Sequence, residues 1–246
     1  MRAILSDVHG NAVALQAVLA DIRKRGIEDI ISLGDLIGYG PEPIKCLEMA
    51  RSFNISLMGN HEEAVLFEPE GFSSKAKSAV EWTRKRLSSV HMSGGEDPFE
   101  FVGSLLKRHS EDPFLWVHGS PREPTQEYIF PGDVRRPEKL KAIFARFDGV
   151  CFVGHTHYAG VTTEHMEFLS PPDMLNVYMI DQGKAVVNVG SVGQPRDGNP
   201  RASYVTFDGD SIVFHRVAYD VQKTADMIFK TPQLDNYLGN RLLKGK

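Results

Sequence analysis

The stretch "ILSDVHGN", residues 4–11, runs from a short apolar segment directly into Asp7 and His9, which stand two residues apart. Side chains at positions i and i+2 of an extended chain point to the same side, so this carboxylate and imidazole can face one common point. Such a pair suits a metal site or a catalytic pair, and it is also compatible with a surface loop because so short a motif recurs by chance. Its meaning depends on what the rest of the chain brings to the same place.

Four further apolar segments end in polar side chains that can bind metals. The motifs that follow these segments are Gly34 and Asp35; Gly59, Asn60 and His61; His118 and Gly119; and Gly154, His155, Thr156 and His157. The carboxyl ends of parallel strands line one edge of an α/β sheet, which is where such folds bind ligands. We therefore expect the polar residues of all five motifs to converge, with the neighbouring glycines letting the backbone approach an ion closely.

The composition is that of an ordinary soluble protein, since the 246 residues are 41% apolar and 24% charged, with a net charge of −4. No apolar run approaches the roughly 18 residues of a membrane span, and no secretion signal is recognised. Cys46 and Cys151 are far apart in the sequence, which predicts no disulfide framework and a cytoplasmic protein. The slightly acidic balance disfavours a dedicated nucleic-acid binder, and a basic cluster at 75–86 is interpreted as a solvated helix face.

The order of predicted elements indicates a mixed α/β architecture. Strands alternate with helices up to about residue 158, and short strands separated by turn residues follow. No repeat, linker or low-complexity segment divides the chain, so we predict a single domain over 1–246 in which helices cover the outer faces of mixed sheets. Within it, 62–113 is predicted to be a mostly helical insertion near the site, and 230–246 a polar C-terminal tail after a last helix at 220–229.

Seven candidate ligands in the five motifs outnumber the ligands of one ion. They are Asp7, His9, Asp35, Asn60, His118, His155 and His157. One ion cannot use them all and keep an open position, whereas two ions can if one carboxylate bridges them, which predicts a binuclear centre. Imidazole, carboxylate and amide ligands without thiolate suit Mn, Fe, Zn or Co better than Mg or Ca, and the choice among the four stays open.

Taken in this order, the motifs D-x-H, G-D, G-N-H, H-G and G-H-T-H resemble the calcineurin-like metallophosphoesterase superfamily, and the match spans 6–157. The segments "GDLIGYGPEP" (34–43) and "NVGSVGQPRDG" (188–198) are similar to a bacterial and archaeal branch of small phosphoesterases. The resemblance implies an α/β (α+β) fold, a four-layer α-β-β-α sandwich with two mixed β-sheets and the metals at the strand ends.

The resemblance also divides the ligands between two ions. It implies one ion held by Asp7, His9, Asp35 and His157, and a second held by Asp35, Asn60, His118 and His155. His61 would then carry no metal and would contact the substrate phosphate or the leaving group. Many members of the superfamily have Asp where this chain has Glu62, whose longer side chain is the candidate to orient His61.

Arg196 is the candidate for substrate binding outside the motifs. Its guanidinium could donate paired hydrogen bonds to a bound phosphate, and the alternative is a structural turn with a surface ion pair. The protein Ser/Thr phosphatases resemble this chain but carry an arginine in the loop after G-D, and the loop "LIGYGPEP" (36–43) lacks it. A protein-phosphatase activity is therefore disfavoured.

These features predict a dimetal-dependent phosphoesterase in which a metal-bridging hydroxide attacks phosphorus in line with the leaving oxygen. Asp35 and His61 are the predicted catalytic residues. Asn60, His61 and Arg196 are the predicted contacts of a small phosphate-ester substrate, and phosphodiesters are expected to be preferred. A dinucleoside polyphosphate hydrolase, a protein phosphatase and a non-catalytic scaffold on the same fold are the alternatives, and the sequence is silent on oligomeric state.

Overall fold

A computed structural model describes residues 1–69, 71–180 and 183–246. Over these residues the chain forms two six-stranded β-sheets flanked by helices. The strands are β1 Arg2–Leu5, β2 Asp29–Ser32, β3 Ile55–Ser56, β4 Arg108–Glu111, β5 Phe114–Val117, β6 Val150–Val153, β7 Gly160–Thr163, β8 Phe168–Leu169, β9 Val177–Met179, β10 Ala185–Asn188, β11 Ala202–Phe207 and β12 Ser211–Val217. The α-helices are α1 Ala12–Lys24, α2 Pro43–Ala50, α3 Asn60–Leu66, α4 Ser74–Ser88, α5 Pro98–Gly103, α6 Pro137–Phe144, α7 Val221–Phe229 and α8 Asn236–Lys244.

Both sheets mix parallel and antiparallel neighbours, as predicted. The first runs in the order β3-β2-β1-β11-β12-β9, and the second in the order β4-β5-β6-β10-β7-β8. Strands β1, β2 and β3 are parallel, as are β5, β6 and β10, while the other pairs are antiparallel. The loops after the parallel strands of the two sheets meet, because the main-chain N–H of His155 donates to Asp7 Oδ2 (2.9 Å).

Successive residues of the central strands point to opposite faces of their sheets and pack into different apolar cores, of which there are three around these strands. In β1, Ala3 and Leu5 pack towards α1 and α2, whereas Ile4 packs between the two sheets. In β6, Phe152 joins the same inter-sheet core, while Cys151 packs against α6 on the other side. A strand buried on both faces needs apolar residues at successive positions, which explains the uninterrupted apolar character of β1 and β6. The result is the four-layer α-β-β-α sandwich that the resemblance implies.

The segment 62–113 contributes to both a helical layer and a sheet. It contains most of α3 and all of α4 and α5. Its last part is β4, which pairs with β5 in antiparallel register and becomes the edge of the second sheet. The segment therefore extends a sheet by one strand, which its predicted description as a mostly helical insertion did not include.

The region 230–246 is not the polar tail expected from its composition, because it contains α8. Leu238 and Leu242 lie four residues apart on this helix and are buried in one apolar cluster with Ile228 of α7. Side chains at this spacing share a helix face. The two leucines therefore give an otherwise polar helix one apolar face that packs against α7. The helix α7 is consequently followed by a further helix that packs against it.

None of the described helices is both long and apolar enough to cross a bilayer. The longest of them, α4, has 15 residues and exposes Lys75, Lys77, Lys85 and Arg86. These four residues of the basic cluster thus lie on a solvated helix face, whereas the fifth, Arg84, donates to the main-chain oxygens of Ala64 (2.7 Å) and Val65 (2.9 Å) in α3. The cytoplasmic location and the single domain over 1–246 stay predictions.

Candidate metal centre

The strand ends of the two sheets bring the seven candidate ligands together. They lie after β1 (Asp7 and His9), β2 (Asp35), β3 (Asn60), β5 (His118) and β6 (His155 and His157). Each of the seven residues is at most 7% exposed. The convergence expected from the strand-end pattern is therefore observed, and the site contains buried His and Asp groups arranged for metal binding.

The first cluster consists of Asp7, His9 and His157. The Nε2 atoms of the two histidines lie 3.1 Å apart, and Asp7 Oδ1 lies 3.1 Å from His157 Nε2 and 3.7 Å from His9 Nε2. The outer ring nitrogens face carbonyls, with His9 Nδ1 3.1 Å from Ile37 O and His157 Nδ1 2.6 Å from Gln194 O. A carbonyl oxygen only accepts, so each Nδ1 carries the hydrogen, and in the neutral ring each Nε2 presents a bare lone pair to the centre.

The second cluster consists of Asn60, His118 and His155, beside Asp35. His118 Nε2 lies 3.0 Å from His155 Nδ1 and 3.3 Å from Asn60 Oδ1. The other ring nitrogen of His155, Nε2, lies 3.2 Å from the main-chain oxygen of Gln126. His155 is therefore turned the opposite way from the histidines of the first cluster and directs Nδ1 at the centre.

Asp35 connects the two clusters. Its Oδ2 atom lies 3.3 Å from His118 Nε2 and 3.6 Å from His9 Nε2. Its Oδ1 atom accepts a hydrogen bond from the main-chain N–H of His61 (2.9 Å), which fixes the orientation of the carboxylate. One carboxylate oxygen between two sets of ligand atoms is the arrangement that two ions with a bridging ligand require.

The donor set fits divalent transition-metal cations. Ligand atoms about 2.1 Å from an ion, at angles of roughly 90–110°, lie about 3.0–3.4 Å from one another, which is close to the separations within both clusters. The buried Asp7 Oδ1 atom has no hydrogen-bond partner among the described residues. A buried carboxylate oxygen that faces bare imidazole lone pairs is unfavourable alone and favourable around a cation. The geometry does not select among the metals.

Burial keeps most imidazoles of the site in the neutral form that binds metals. It is the largest cause that lowers the pKa of His9, His61, His155 and His157. For His155 the pKa falls to about 3, and for His61 to about 4. His118 is the exception: burial lowers its pKa, but the negative charge of Asp35 opposes this and the pKa is raised to about 9.

The backbone of the site is unusual because its ligands adopt left-handed conformations. Nine non-glycine residues of the described chain have positive φ, and six of them belong to this site. They are Asp7, His9, Asp35, Tyr39, His155 and His157, with φ between 49° and 66°. This conformation costs a non-glycine residue about 1 kcal/mol or more and persists only where the surrounding structure imposes it. The concentration of such residues indicates that the fold sacrifices some stability to aim these side chains.

Two glycines let the strand-end loops approach one another. A Cβ atom at Gly59 would lie 2.1 Å from Asp35 Oδ1, and one at Gly154 would lie 2.5 Å from Asp7 Oδ2. Atoms in close-packed interiors do not approach this closely, so a side chain at either position would displace a candidate ligand. The close approach expected of glycines beside the ligands is therefore present at these two positions.

Glu62 acts on the backbone rather than on the His61 ring that it was expected to orient. Its buried carboxylate accepts hydrogen bonds from the main-chain N–H groups of Asp35 (2.7 Å), Ile37 (3.1 Å) and Gly59 (2.8 Å). Burial, and then the charge of Asp35, raise the pKa of Glu62 to about 7. The residue ties the loop after β2 to the start of α3, so the longer arm of Glu positions a candidate metal ligand.

His61 lies inside the site, next to the candidate ligands. Ligand atoms of His9, Asp35 and His61 all lie within 4.8 Å of one another. Its buried Nδ1 atom has no hydrogen-bond partner within the described chain. The rings of Tyr39 and Phe72 pack against it, with centroid separations of 4.4 and 5.0 Å. The imidazole is thus held by aromatic neighbours.

Arg196 reaches the same site from the loop after β10. One terminal nitrogen donates to Gln194 Oε1 (2.8 Å), and the guanidinium carbon lies 5.9 Å from the centre of the Tyr39 ring. The Nε atom is buried and has no hydrogen-bond partner in the part of the chain described. Its neighbour Asp197 is ion-paired with Arg216, and no other described carboxylate pairs with Arg196, so the surface ion pair considered as an alternative is not seen.

One side of the centre opens into a cavity of about 410 Å³. Asn60 and His155 of the second cluster line it, together with Tyr39, Phe72 and Tyr128. The Tyr128 ring stacks on the His155 ring, with centroids 3.6 Å apart and planes inclined by 14°. A further cavity of about 670 Å³ continues along α3 and shares Asn60 and Phe72. The residues of the first cluster line neither cavity.

Sequence reasoning missed three aromatic residues of the site, which are Tyr39, Phe72 and Tyr128. Tyr39 contacts His9 and His61 at centroid separations of 4.7 and 4.4 Å. Its position in the "GDLIGYGPEP" segment, four residues after Asp35, was the available signal. Tyr128 lies between β5 and α6 in a loop whose sequence has no spacing motif, so only the structure identifies it.

Comparison with known proteins identifies relatives that are similar over the whole chain. The model of the calcineurin-like phosphoesterase superfamily domain matches residues 1–211, which include every candidate ligand. The uncharacterized protein MJ0912 of Methanocaldococcus jannaschii is 35% identical over 256 aligned positions, covering 100% of this chain and 98% of that protein.

Two solved structures are similar over their full length. One is a metallophosphoesterase from Sphaerobacter thermophilus, with a TM-score of 0.83 and 36% identity, covering 100% of this chain and 98% of that one. The other is the hypothetical protein PH1004 from Pyrococcus horikoshii OT3, with a TM-score of 0.76 and 20% identity, covering 100% and 99%. At 20% identity the second likeness bears on the fold alone.

Proposed function

The chain belongs to the calcineurin-like phosphoesterase superfamily, and from this premise we propose that it is a dimetal-dependent hydrolase of phosphate esters that prefers phosphodiesters. The observation that carries the proposal is the position of Asp35 Oδ2 between the two clusters. A carboxylate oxygen shared in this way suits two ions about 3.5–4 Å apart, the spacing that serves in-line displacement at phosphorus.

The ligands divide between two ions as the clusters divide in space. Asp7, His9, Asp35 and His157 would hold the first ion, and Asp35, Asn60, His118 and His155 would hold the second. Two divalent cations, when bound, supply positive charge for the phosphoryl oxygens and lower the pKa of the attacking water. Mn, Fe, Zn or Co suits these donors, and Mn is the metal that we expect to support activity better than Mg.

Three further groups act on the substrate from the protein side. Asn60 lines the cavity, so the phosphate approaches the centre past this side chain. His61 lies beside Asp35, where an imidazole can stabilise charge on the phosphate or protonate the leaving oxygen. The guanidinium of Arg196, whose Nε atom has no hydrogen-bond partner among the described residues, can donate hydrogen bonds to phosphate oxygens.

The preference for diesters follows from charge. A diester carries one negative charge less than a monoester dianion and needs less cationic support at the scissile phosphorus. The loop after β2 lacks the arginine that protein phosphatases carry there, which supports a small phosphate ester over a phosphoprotein as substrate. A scaffold without activity would be expected to lose ligands, and the complete donor set argues against it.

Metal reconstitution tests the proposal. Protein stripped by a chelator is reloaded with Mn, Fe, Zn, Co or Mg and assayed on an aryl monoester, an aryl diester, cyclic nucleotides and dinucleoside polyphosphates. We expect no activity without metal, more with Mn than with Mg, and at least equal rates on the diester and the monoester. Full activity in metal-free protein would refute the dimetal centre, a strong monoester preference would point to a phosphatase, and no turnover by the loaded protein would favour a scaffold.

A further inference from the structure

A second arginine lies beside the centre and has no part in the reaction proposed above. Arg241 is on α8, and the apolar cluster that contains Leu238 and Leu242 of this helix packs against Tyr39. Tyr39 is the residue whose ring contacts His61. The helix α8 therefore forms part of the wall of the site.

The turn after α8 is joined to the loop that carries Arg196. The main-chain N–H of Gly198 donates to the main-chain oxygen of Gly245 (2.8 Å). Arg241 Nε donates to the main-chain oxygen of Lys246 in the same turn (2.5 Å), which leaves its terminal nitrogens for other partners. The two arginines therefore lie on segments that are hydrogen-bonded to each other, and burial and then the positive charge of Arg196 lower the pKa of Arg241.

Neither guanidinium pairs with a side-chain carboxylate anywhere in the described residues. Asp197, which follows Arg196, is ion-paired with Arg216. The guanidinium carbon of Arg241 lies 5.3 Å from the centre of the Tyr237 ring, which is an uncharged neighbour. Two like charges on segments that are joined in this way repel each other, and an anion bound between them would offset this repulsion. The arrangement is that of an anion site.

We propose that Arg196 and Arg241 hold a second phosphate of the substrate, adjacent to the phosphate that the metal centre hydrolyses. Arg196 is the inner of the two, because its main-chain N–H donates to the main-chain oxygen of His157 (3.4 Å) and its guanidinium carbon lies 5.9 Å from the centre of the Tyr39 ring, which contacts His61. The inference rests on the proposed function for the role of the metal-bound phosphate. The substrate class that follows is an oligophosphate. An inner phosphorus atom of an oligophosphate carries two substituents, like the phosphorus atom of a diester.

Binding of inorganic anions to the metal-loaded full chain tests this site without relying on turnover. Pyrophosphate and orthophosphate are titrated by calorimetry, with the metal content measured before and after. A charge-assisted pair of hydrogen bonds supports roughly a tenfold change in Kd, so Arg241→Gln should weaken pyrophosphate about tenfold and orthophosphate less than about threefold. Arg241→Lys should lie between wild type and Arg241→Gln.

The matched control is Lys244→Gln, which removes an exposed positive charge from the same helix and should alter neither affinity. Thermal denaturation of each variant shows whether α8 still packs. Equal weakening of both anions by Arg241→Gln would place Arg241 on the metal-bound phosphate and overturn the second phosphate site. Unchanged affinity for pyrophosphate would overturn it as well.

Turnover then separates this inference from the proposed function. In Arg241→Gln, the ratio of kcat/KM for a dinucleoside polyphosphate to that for an aryl diester should fall roughly tenfold. If pyrophosphate binding depends on Arg241 but the loaded protein hydrolyses nothing, the anion site stands and the proposed function fails. If the protein hydrolyses diesters while Arg241→Gln changes neither the ratio nor the affinity, the proposed function stands and the anion site fails.

Discussion

The two clusters of the metal centre contain similar ligands in different surroundings. The first cluster is enclosed: Tyr39 packs on His9 and is itself backed by α8. The second cluster borders the cavity through Asn60 and His155, with Tyr128 stacked on the latter. The donors of the two halves differ in charge at one position, where Asp7 of the first cluster is a carboxylate and Asn60 of the second is an amide, and the halves also differ in access. We infer that substrate approaches across the second cluster and that the first cluster holds the ion that is harder to reach.

The strongest test of this comparison removes the group that joins the halves. Asp35→Asn reduces the charge at both ions, because one oxygen of Asp35 faces both clusters, whereas Asn60→Ala removes one neutral ligand of the open half. Elemental analysis after dialysis should find Asp35→Asn depleted of both metals and Asn60→Ala depleted of at most one. Equal metal contents in the two variants would contradict a bridge between unequal halves.

The second-largest effect is expected on the reaction rate when His61, which lies beside the enclosed first cluster, is replaced. His61→Ala should keep both metals and lower the rate by roughly 10²–10⁴-fold, the range of general acid catalysis. The loss should be smallest for nitrophenolate, which needs no proton to leave, and larger for alkoxide leaving groups. Steady-state kinetics on a series of esters, combined with metal analysis, measures both quantities.

His91→Ala provides the control for His61, since His91 is exposed and outside the site, and it should match wild type in rate and metal content. Loss of metal in His61→Ala would make His61 a ligand of the enclosed half. A rate loss that is indifferent to the leaving group would indicate substrate binding in place of proton transfer.

The smallest effect is expected at the open half, where Tyr128 covers His155. Tyr128→Ala removes a stacked ring, whose contact contributes about 0.5–1.5 kcal/mol, and should raise KM for an aryl diester by roughly threefold to tenfold with little change in kcat. Tyr128→Phe preserves the ring and should behave like wild type. A larger change of kcat than of KM in Tyr128→Ala would mean that the ring supports the metal ligand and not the substrate.

The centre was predictable from sequence, whereas its walls were not. The candidate ligands follow the ends of apolar strands in short motifs that each contain a glycine. Parallel strands bring such ends to one edge regardless of the intervening chain, so Asp7 and His157 could be placed together. Arg241 could not, because its position depends on how two leucines dock α8 against Tyr39. Glu62 shows an intermediate case: its importance was recognisable from the motif, but its partners turned out to be main-chain N–H groups of two loops.

The left-handed conformation of six residues in the site bears on how the protein acquires its metals. Several of these residues are held by contacts that involve no ion, such as the Ile37 and Gln194 carbonyls behind His9 and His157. The fold thus contributes to the ligand positions before any cation binds. We therefore expect one cation to be exchanged for another while the chain stays folded.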